Sequence, residues 1–125
     1  MTSGNNNLSS NTNLTIIGLG GPREIRSSGT SLFGIGMGSA VSNVSLTLGN
    51  GITLDGRMLG GTLVWIVGST NTFAMEDGSK ITGSRNTGGG GPSMGAVFIG
   101  GGSTFYMRGE AMIKAGGCRY TVGVR

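Results

Sequence analysis

Residues 71–83 are N-T-F-A-M-E-D-G-S-K-I-T-G, and a similar pattern, S-T-F-Y-M-R-G-E-A-M-I-K-A, returns at residues 103–115. In both copies an alternating triplet, F-A-M or F-Y-M, precedes a turn of small and polar residues and a second apolar segment. Alternation with a period of two is typical of a strand with one buried face and not of a helix. Each copy therefore predicts two short β-strands joined by a turn.

The alternating triplet occurs four times, at spacings of 32, 27 and 32 residues. Its copies are L-T-I at 14–16, L-T-L at 46–48, F-A-M at 73–75 and F-Y-M at 105–107. A third apolar cluster completes the repeat, as L-F-G-I at 32–35, L-V-W-I at 63–66 and A-V-F-I at 96–99. Repeats of this length bury their apolar faces by stacking on their neighbours.

These spacings predict an all-β fold, a right-handed parallel β-helix (solenoid) of about four coils with three short strands per coil. Inward positions then form ladders of like residues, namely Leu14/Leu46/Phe73/Phe105 and Ile16/Leu48/Met75/Met107. We expect one domain, with a polar N-terminal segment at 1–11, coils at 12–116, and a tail or partial extra rung at 117–125.

Glycine contributes 28 of the 125 residues, against an average near ~7%, while proline occurs only twice. This composition argues against collagen and against helices, and it suggests that glycine marks the corners of a regular structure. We expect positive φ angles at five corner glycines, Gly18, Gly56, Gly68, Gly83 and Gly100.

The charge and cysteine content exclude several classes of function. The net charge is +4, but the nine cations are spread along the chain and form no basic run, so no nucleic-acid partner is predicted. The longest apolar run, residues 63–67, is far shorter than the ~20 residues that span a bilayer, so we expect no membrane insertion of this segment. A lone Cys118 without any histidine provides neither a disulfide nor an activated nucleophile, and no cofactor is predicted.

Five acids are available for catalysis or metal binding: Glu24, Asp55, Glu76, Asp77 and Glu110. Glycoside hydrolysis needs two carboxyl groups close together, whereas the repeat alignment places no two acids from different coils in one column. We therefore expect no catalytic residue and no enzyme. The sequential pair Glu76-Asp77 is favoured as surface charge, and a weak calcium contact at that turn is the only metal site that the sequence allows.

Three aromatic residues are candidates for stacking on sugar rings: Trp65, Tyr106 and Tyr120. Tyr106 is the most interesting because it takes the outward position that Thr15, Thr47 and Ala74 occupy in the other repeats. A single exposed aromatic without a role is nevertheless common on protein surfaces. Ice binding would require a long outward threonine ladder, which Thr15 and Thr47 begin and Ala74 and Tyr106 end.

The repeat resembles that of bacterial surface proteins with right-handed parallel β-helices, in which strands of the type G-G-T-F-x-M-x-G-G-x-I-x-G recur. The resemblance covers roughly residues 12–116; Arg108-Gly109-Glu110 replaces the commoner turn, and residues 118–125 do not match the repeat. It implies an extracellular or cell-surface protein, adhesin-like or the passenger of an autotransporter. The N-terminal sequence lacks the basic-then-apolar grading of a signal peptide, so an exported protein would be represented here by a mature form or a piece.

Three classes of function remain open. A non-catalytic structural or adhesive segment predicts a regular stack, and its partners would be a carbohydrate or another host-surface ligand. A carbohydrate-binding or carbohydrate-cleaving module predicts a groove with aromatics or paired acids. A self-assembling or ice-binding scaffold predicts uniform outer ladders, and open ends of a stack predict end-to-end self-association.

Overall fold

The structure, a computed structural model, describes residues 6–28, 31–36, 40–59, 61–85, 96–115 and 122–124. Short β-strands and no helix occur in these ranges, so no helix there is able to span a membrane. The strands are β1 (Asn6–Asn7), β2 (Asn13–Ile16), β3 (Arg23–Arg26), β4 (Phe33–Ile35), β5 (Ser45–Leu48), β6 (Ile52–Asp55), β7 (Val64–Val67), β8 (Thr72–Met75), β9 (Lys80–Ser84), β10 (Val97–Gly100), β11 (Thr104–Met107), β12 (Met112–Ala115) and β13 (Val122–Val124).

The strands form three parallel sheets, and successive strands enter the sheets in strict rotation. Sheet A has the order β1-β4-β7-β10-β13, sheet B the order β2-β5-β8-β11, and sheet C the order β3-β6-β9-β12. Every pairing is parallel, and each strand lies beside the strand three positions later in the chain. The predicted all-β architecture of short parallel strands is therefore confirmed.

The register follows the apolar ladders that the sequence predicts. In sheet B, Leu46 pairs with Leu14 on one side and with Phe73 on the other, and Phe73 pairs with Phe105. The phenyl rings of Phe73 and Phe105 stack with their centroids 5.2 Å apart. The second ladder also has the predicted register, but its last member, Met107, is 45% exposed whereas the neighbouring Met75 is fully buried. Within the described ranges Met107 lies on the edge strand of sheet B, with no further strand of this sheet beyond it.

All three sheets contribute side chains to one core. The buried members from sheets A and C include Phe33, Ile35, Leu54, Val64, Ile66, Ile81, Val97 and Ile99. The strands β6 and β7 alternate buried and partly exposed residues, because successive side chains of a strand point to opposite faces, whereas all residues of β4 and β10 are buried. Leu8, from the polar N-terminal segment, also packs against this core.

The corner glycines are required for two different reasons. Gly68 and Gly83 have φ angles of 118° and 66°, which confirms the prediction there. The prediction is wrong for the three others, which have no positive φ: Gly18, Gly56 and Gly100. A Cβ atom on Gly18 would lie 2.3 Å from a carbonyl oxygen of the adjacent turn, and one on Gly56 would lie 2.7 Å from another. Close approach of neighbouring turns, not backbone conformation, excludes side chains at those two positions.

Candidate functional site

Two of the aromatic candidates differ in how much of the ring is free. Trp65 lies on β7 and is only partly exposed, because its ring stacks on Phe98 of the adjacent β10 with centroids 4.1 Å apart. Tyr106 lies on the edge strand β11 and is 45% exposed. Tyr120 lies outside the described residues, as does Cys118. Tyr106 is therefore the better placed of the two to contact a ligand.

Tyr106 is part of a small charged cluster on the outside of sheet B. The guanidinium carbon of Arg108 lies 4.8 Å from the centre of the tyrosine ring, which is cation–π geometry. The same guanidinium forms an ion pair with the carboxylate of Glu76. Glu76 therefore holds Arg108 against the ring, and the cluster bridges the two neighbouring repeats.

The acidic pair Glu76 and Asp77 does not converge on a common point. Glu76 pairs with Arg108, whereas Asp77 accepts a 2.8 Å hydrogen bond at Oδ1 from the backbone N–H of Glu110. Among the described residues, no group of three or more histidine, cysteine, aspartate or glutamate side chains is arranged to hold a metal ion. In the structure both carboxylates hold adjacent repeats together.

Glu24 and Asp55 lie in separate columns of sheet C, as the alignment predicts. Glu24 pairs in register with Thr53, which pairs with Lys80. Asp55 lies between Arg26 and Thr82 in the next outward column. Each of these acids therefore has neutral or basic neighbours in its column.

The outer faces of sheets B and C differ sharply in charge. The strands of sheet B, N-L-T-I, S-L-T-L, T-F-A-M and T-F-Y-M, contain no charged residue. Besides the predicted Thr15/Thr47 column, sheet B has a second outward column of hydroxyl and amide groups: Asn13, Ser45, Thr72 and Thr104. The members of this column are not identical, so the repeat pattern in the sequence does not reveal it. Ser45 Oγ donates a 2.7 Å hydrogen bond to Asn13 Oδ1 of the neighbouring repeat.

A groove of about 630 Å³ lies on sheet C beside the turns that lead into its strands. One wall consists of Thr53, Lys80 and Met112, which occupy the same outward position on three adjacent strands. The opposite wall comes from the preceding turns: Pro22, Asn50, Gly51, Gly78, Glu110 and Ala111. This groove joins residues from all four repeats, which no single stretch of sequence shows.

Two turn residues that line the groove, Gly51 and Gly78, carry no side chain. Gly51 and Gly78 both have a φ of 78°, and the N–H of Gly51 points towards the carbonyl oxygen of Gly78 at 3.3 Å. Glycine is the residue that adopts such a conformation without strain. The turn wall therefore contains two glycines joined by a backbone hydrogen bond, and Glu110 also lines it.

The groove contains one cation and one anion that do not pair with each other. Lys80 and Glu110 are both exposed, and within the described ranges neither forms an ion pair. Their charged groups face water and are available to a ligand. The site is thus a mixed surface of charged, hydroxyl, amide and apolar groups rather than a dry pocket.

One buried polar residue with a structural role was missed in the sequence. Asn71 is 1% exposed, and it lies at the corner between sheets A and B. Its Oδ1 accepts a hydrogen bond from the N–H of Val44 at 3.0 Å, and its Nδ2 donates to the carbonyl oxygens of Val41 at 3.0 Å and Val67 at 2.8 Å. No pattern indicated this role, because Thr12, Val44 and Ser103 occupy the equivalent position in the other repeats.

Comparisons with protein-family models, with curated proteins and with solved structures found no match to this chain. Its function is therefore inferred from its repeat sequence and from its own strands, charges and groove.

Proposed function

We propose that the three sheets are the faces of a right-handed parallel β-helix of about four coils, with one strand from each sheet per coil. The strict rotation of the chain through sheets A, B and C supports this proposal. A right-handed path is expected because crossovers between parallel strands have that hand in nearly all proteins.

The function that fits this architecture best is that of a non-catalytic structural or adhesive segment of a bacterial cell-surface or secreted β-helix protein. The observation that carries it is the continuity of the inner ladders, in which the middle members Leu46, Leu48, Phe73 and Met75 are fully buried by the repeats on either side. Such a stack supplies length, since each repeat contacts only its neighbours and every added repeat extends it. The extracellular location rests on the resemblance of residues 12–116 to bacterial surface repeats.

Duplication of one coil tests this proposal. A second copy of residues 45–71 inserted after Asn71 adds one strand to each sheet in the existing order. We expect a folded chain with more strand signal in circular dichroism and a melting temperature that is equal or higher, because repeat stability is approximately additive. An insertion of the same composition in scrambled order is the control. Loss of folding by the duplicated chain, with strand content no better than the scrambled control, would contradict the stacked-coil proposal.

The non-catalytic part of the proposal has a separate test. Incubation with a panel of polysaccharides should release no new reducing ends and no unsaturated products. Turnover that is abolished by Glu76→Gln or Asp77→Asn would show that these carboxylates are catalytic and would overturn this part of the proposal.

A carbohydrate-binding module is the second candidate. It is favoured by the groove on sheet C and by the exposed ring of Tyr106, which has the amphipathic character of residues that contact sugars. Both functions are compatible in one chain, because a rigid stack is a suitable support for a binding surface.

A further inference from the structure

We propose that the groove on sheet C binds a linear glycan in which acidic and neutral sugars alternate. The proposal goes beyond the structural function and does not depend on it. It rests on the shape of the groove, on its unpaired charges and on its mixture of polar and apolar lining.

The shape of the groove suits a short segment of a linear polymer. Thr53, Lys80 and Met112 lie on three adjacent strands, so that wall is about 10 Å long, from two strand spacings. The volume of about 630 Å³ is in the range of ligand sites in proteins. The long direction runs across the strands, so an extended chain would lie parallel to the stacking direction and contact several repeats.

The charged residues of the groove favour an acidic sugar at one position only, beside Lys80. Lys80 has a neutral neighbour on each side, Thr53 and Met112, and the acid in its own column, Glu24, pairs with Arg26 at 3.1 Å. Lys80 is thus free to bind a carboxylate, and the +4 charge of the chain favours the approach of an anionic polymer. Glu110, by contrast, repels a second carboxylate nearby, whereas it accepts hydrogen bonds from sugar hydroxyls. A glycan in which acidic and neutral sugars alternate can place a carboxylate beside Lys80 and a neutral, hydroxyl-bearing sugar beside Glu110.

The other lining residues suit a sugar more than a peptide strand. The exposed side chains of Asn50 and Met112 offer an amide and an apolar surface, and Pro22 adds a second apolar patch. Amide and hydroxyl groups pair with sugar hydroxyls, and apolar side chains cover the C–H faces of the rings. A peptide that adds as a strand runs along a free sheet edge, whereas this groove runs across three strands, of which β6 and β9 are paired on both sides.

Isothermal calorimetry with defined oligomers tests the proposal. The probe is hyaluronan hexasaccharide, in which glucuronate and N-acetylglucosamine alternate; chitin hexasaccharide is the neutral comparator and hexaglutamate the acidic peptide comparator. We expect saturable binding of the hyaluronan probe and at least about fivefold weaker binding of both comparators. Equal binding of chitin hexasaccharide would show that no carboxylate is recognised, and equal binding of hexaglutamate would show a general polyanion surface; either result overturns the proposal.

Charge variants locate the binding to the groove. Lys80→Gln should weaken hyaluronan binding by about three- to fivefold, the effect expected for an exposed ion pair. Lys114→Gln is the matched control, because Lys114 is an exposed lysine of the same sheet that lies outside the groove. Glu110→Gln should reduce discrimination against hexaglutamate. Circular dichroism checks that each variant is folded. Equal losses of hyaluronan affinity in both lysine variants, or no saturable binding by the original chain, would refute the site. Neither result would bear on the proposed structural function.

Discussion

The replacement Asn71→Ala should destabilise the protein more than any other single polar substitution at the sheet A–B corner. The asparagine side chain makes three hydrogen bonds with backbone groups of Val41, Val44 and Val67. Alanine makes none of them, and it leaves the N–H of Val44, a residue that is 1% exposed, without its acceptor. The corner therefore loses the side chain that binds the segment leaving sheet A to the segment entering sheet B.

The expected loss follows from the number of bonds. Three hydrogen bonds with net contributions of ~0.5–1.5 kcal/mol each amount to roughly 1.5–4.5 kcal/mol. A stranded buried N–H costs ~1–3 kcal/mol by itself, so we expect a loss in the middle of that range, about 3 kcal/mol. This is a large fraction of the ~5–15 kcal/mol by which native domains are stable.

Urea unfolding followed by circular dichroism measures this loss, together with amide hydrogen exchange at Val44. The control is Asn13→Ala, which removes one exposed hydrogen bond to Ser45 and should cost no more than ~0.5 kcal/mol. Exchange at Val44 should accelerate in the Asn71 variant and stay unchanged in the control. Equal stability of the two variants, with Val44 exchanging at the original rate in both, would show that the Asn71 side chain does not stabilise the corner.

Three further predictions concern the core, the edge of sheet B and the charged cluster. Phe73→Ala should lower the free energy of unfolding in urea by about 3–5 kcal/mol, and Phe105→Ala should lower it clearly less, because Phe73 is fully buried and Phe105 only partly so. Equal losses in the two variants would contradict this difference in burial. In sedimentation across a concentration series we expect end-to-end association that Met107→Lys weakens, since Met107 is exposed on the strand that forms the edge of sheet B in the described part of the chain. A monomer at all concentrations would exclude this contact. Glu76→Gln should lower the free energy of unfolding by less than ~1 kcal/mol, and this loss should decrease as salt is added, because Arg108, the partner of Glu76, is half exposed. A loss that is large and insensitive to salt would contradict a surface ion pair.

The strand register was predictable from the sequence because it depends on a local pattern. Alternation with a period of two assigns each residue to the inner or outer face, and the repeat spacing then aligns equivalent residues. The pairing of Leu54 with Ile81 and of Ile81 with Ile113 follows from these two facts alone, and the structure confirms it. No information from distant parts of the chain was needed for this step.

The role of individual glycines was only partly predictable. Turn conformation is a local property, and the positive φ at Gly68 and Gly83 was foreseen. The requirement at Gly18 and Gly56 comes instead from carbonyl groups of neighbouring turns, whose distance depends on how the repeats stack. A sequence pattern shows that glycine is present but not which atom would collide with its replacement.

The sequence by itself determined the class of the fold, the inner ladders and the outward position of Tyr106, since each follows from short-range periodicity. Only the tertiary structure decided that Arg108 and Glu76 hold the ring of Tyr106, that Asn71 closes a corner, and that Lys80 and Glu110 share a groove. These features join residues about 30 positions apart, which parallel pairing brings to within one strand spacing of ~4.8 Å. The turn glycines of the groove, Gly51 and Gly78, likewise come together only through the stacking of the repeats, which places the N–H of one 3.3 Å from the carbonyl oxygen of the other.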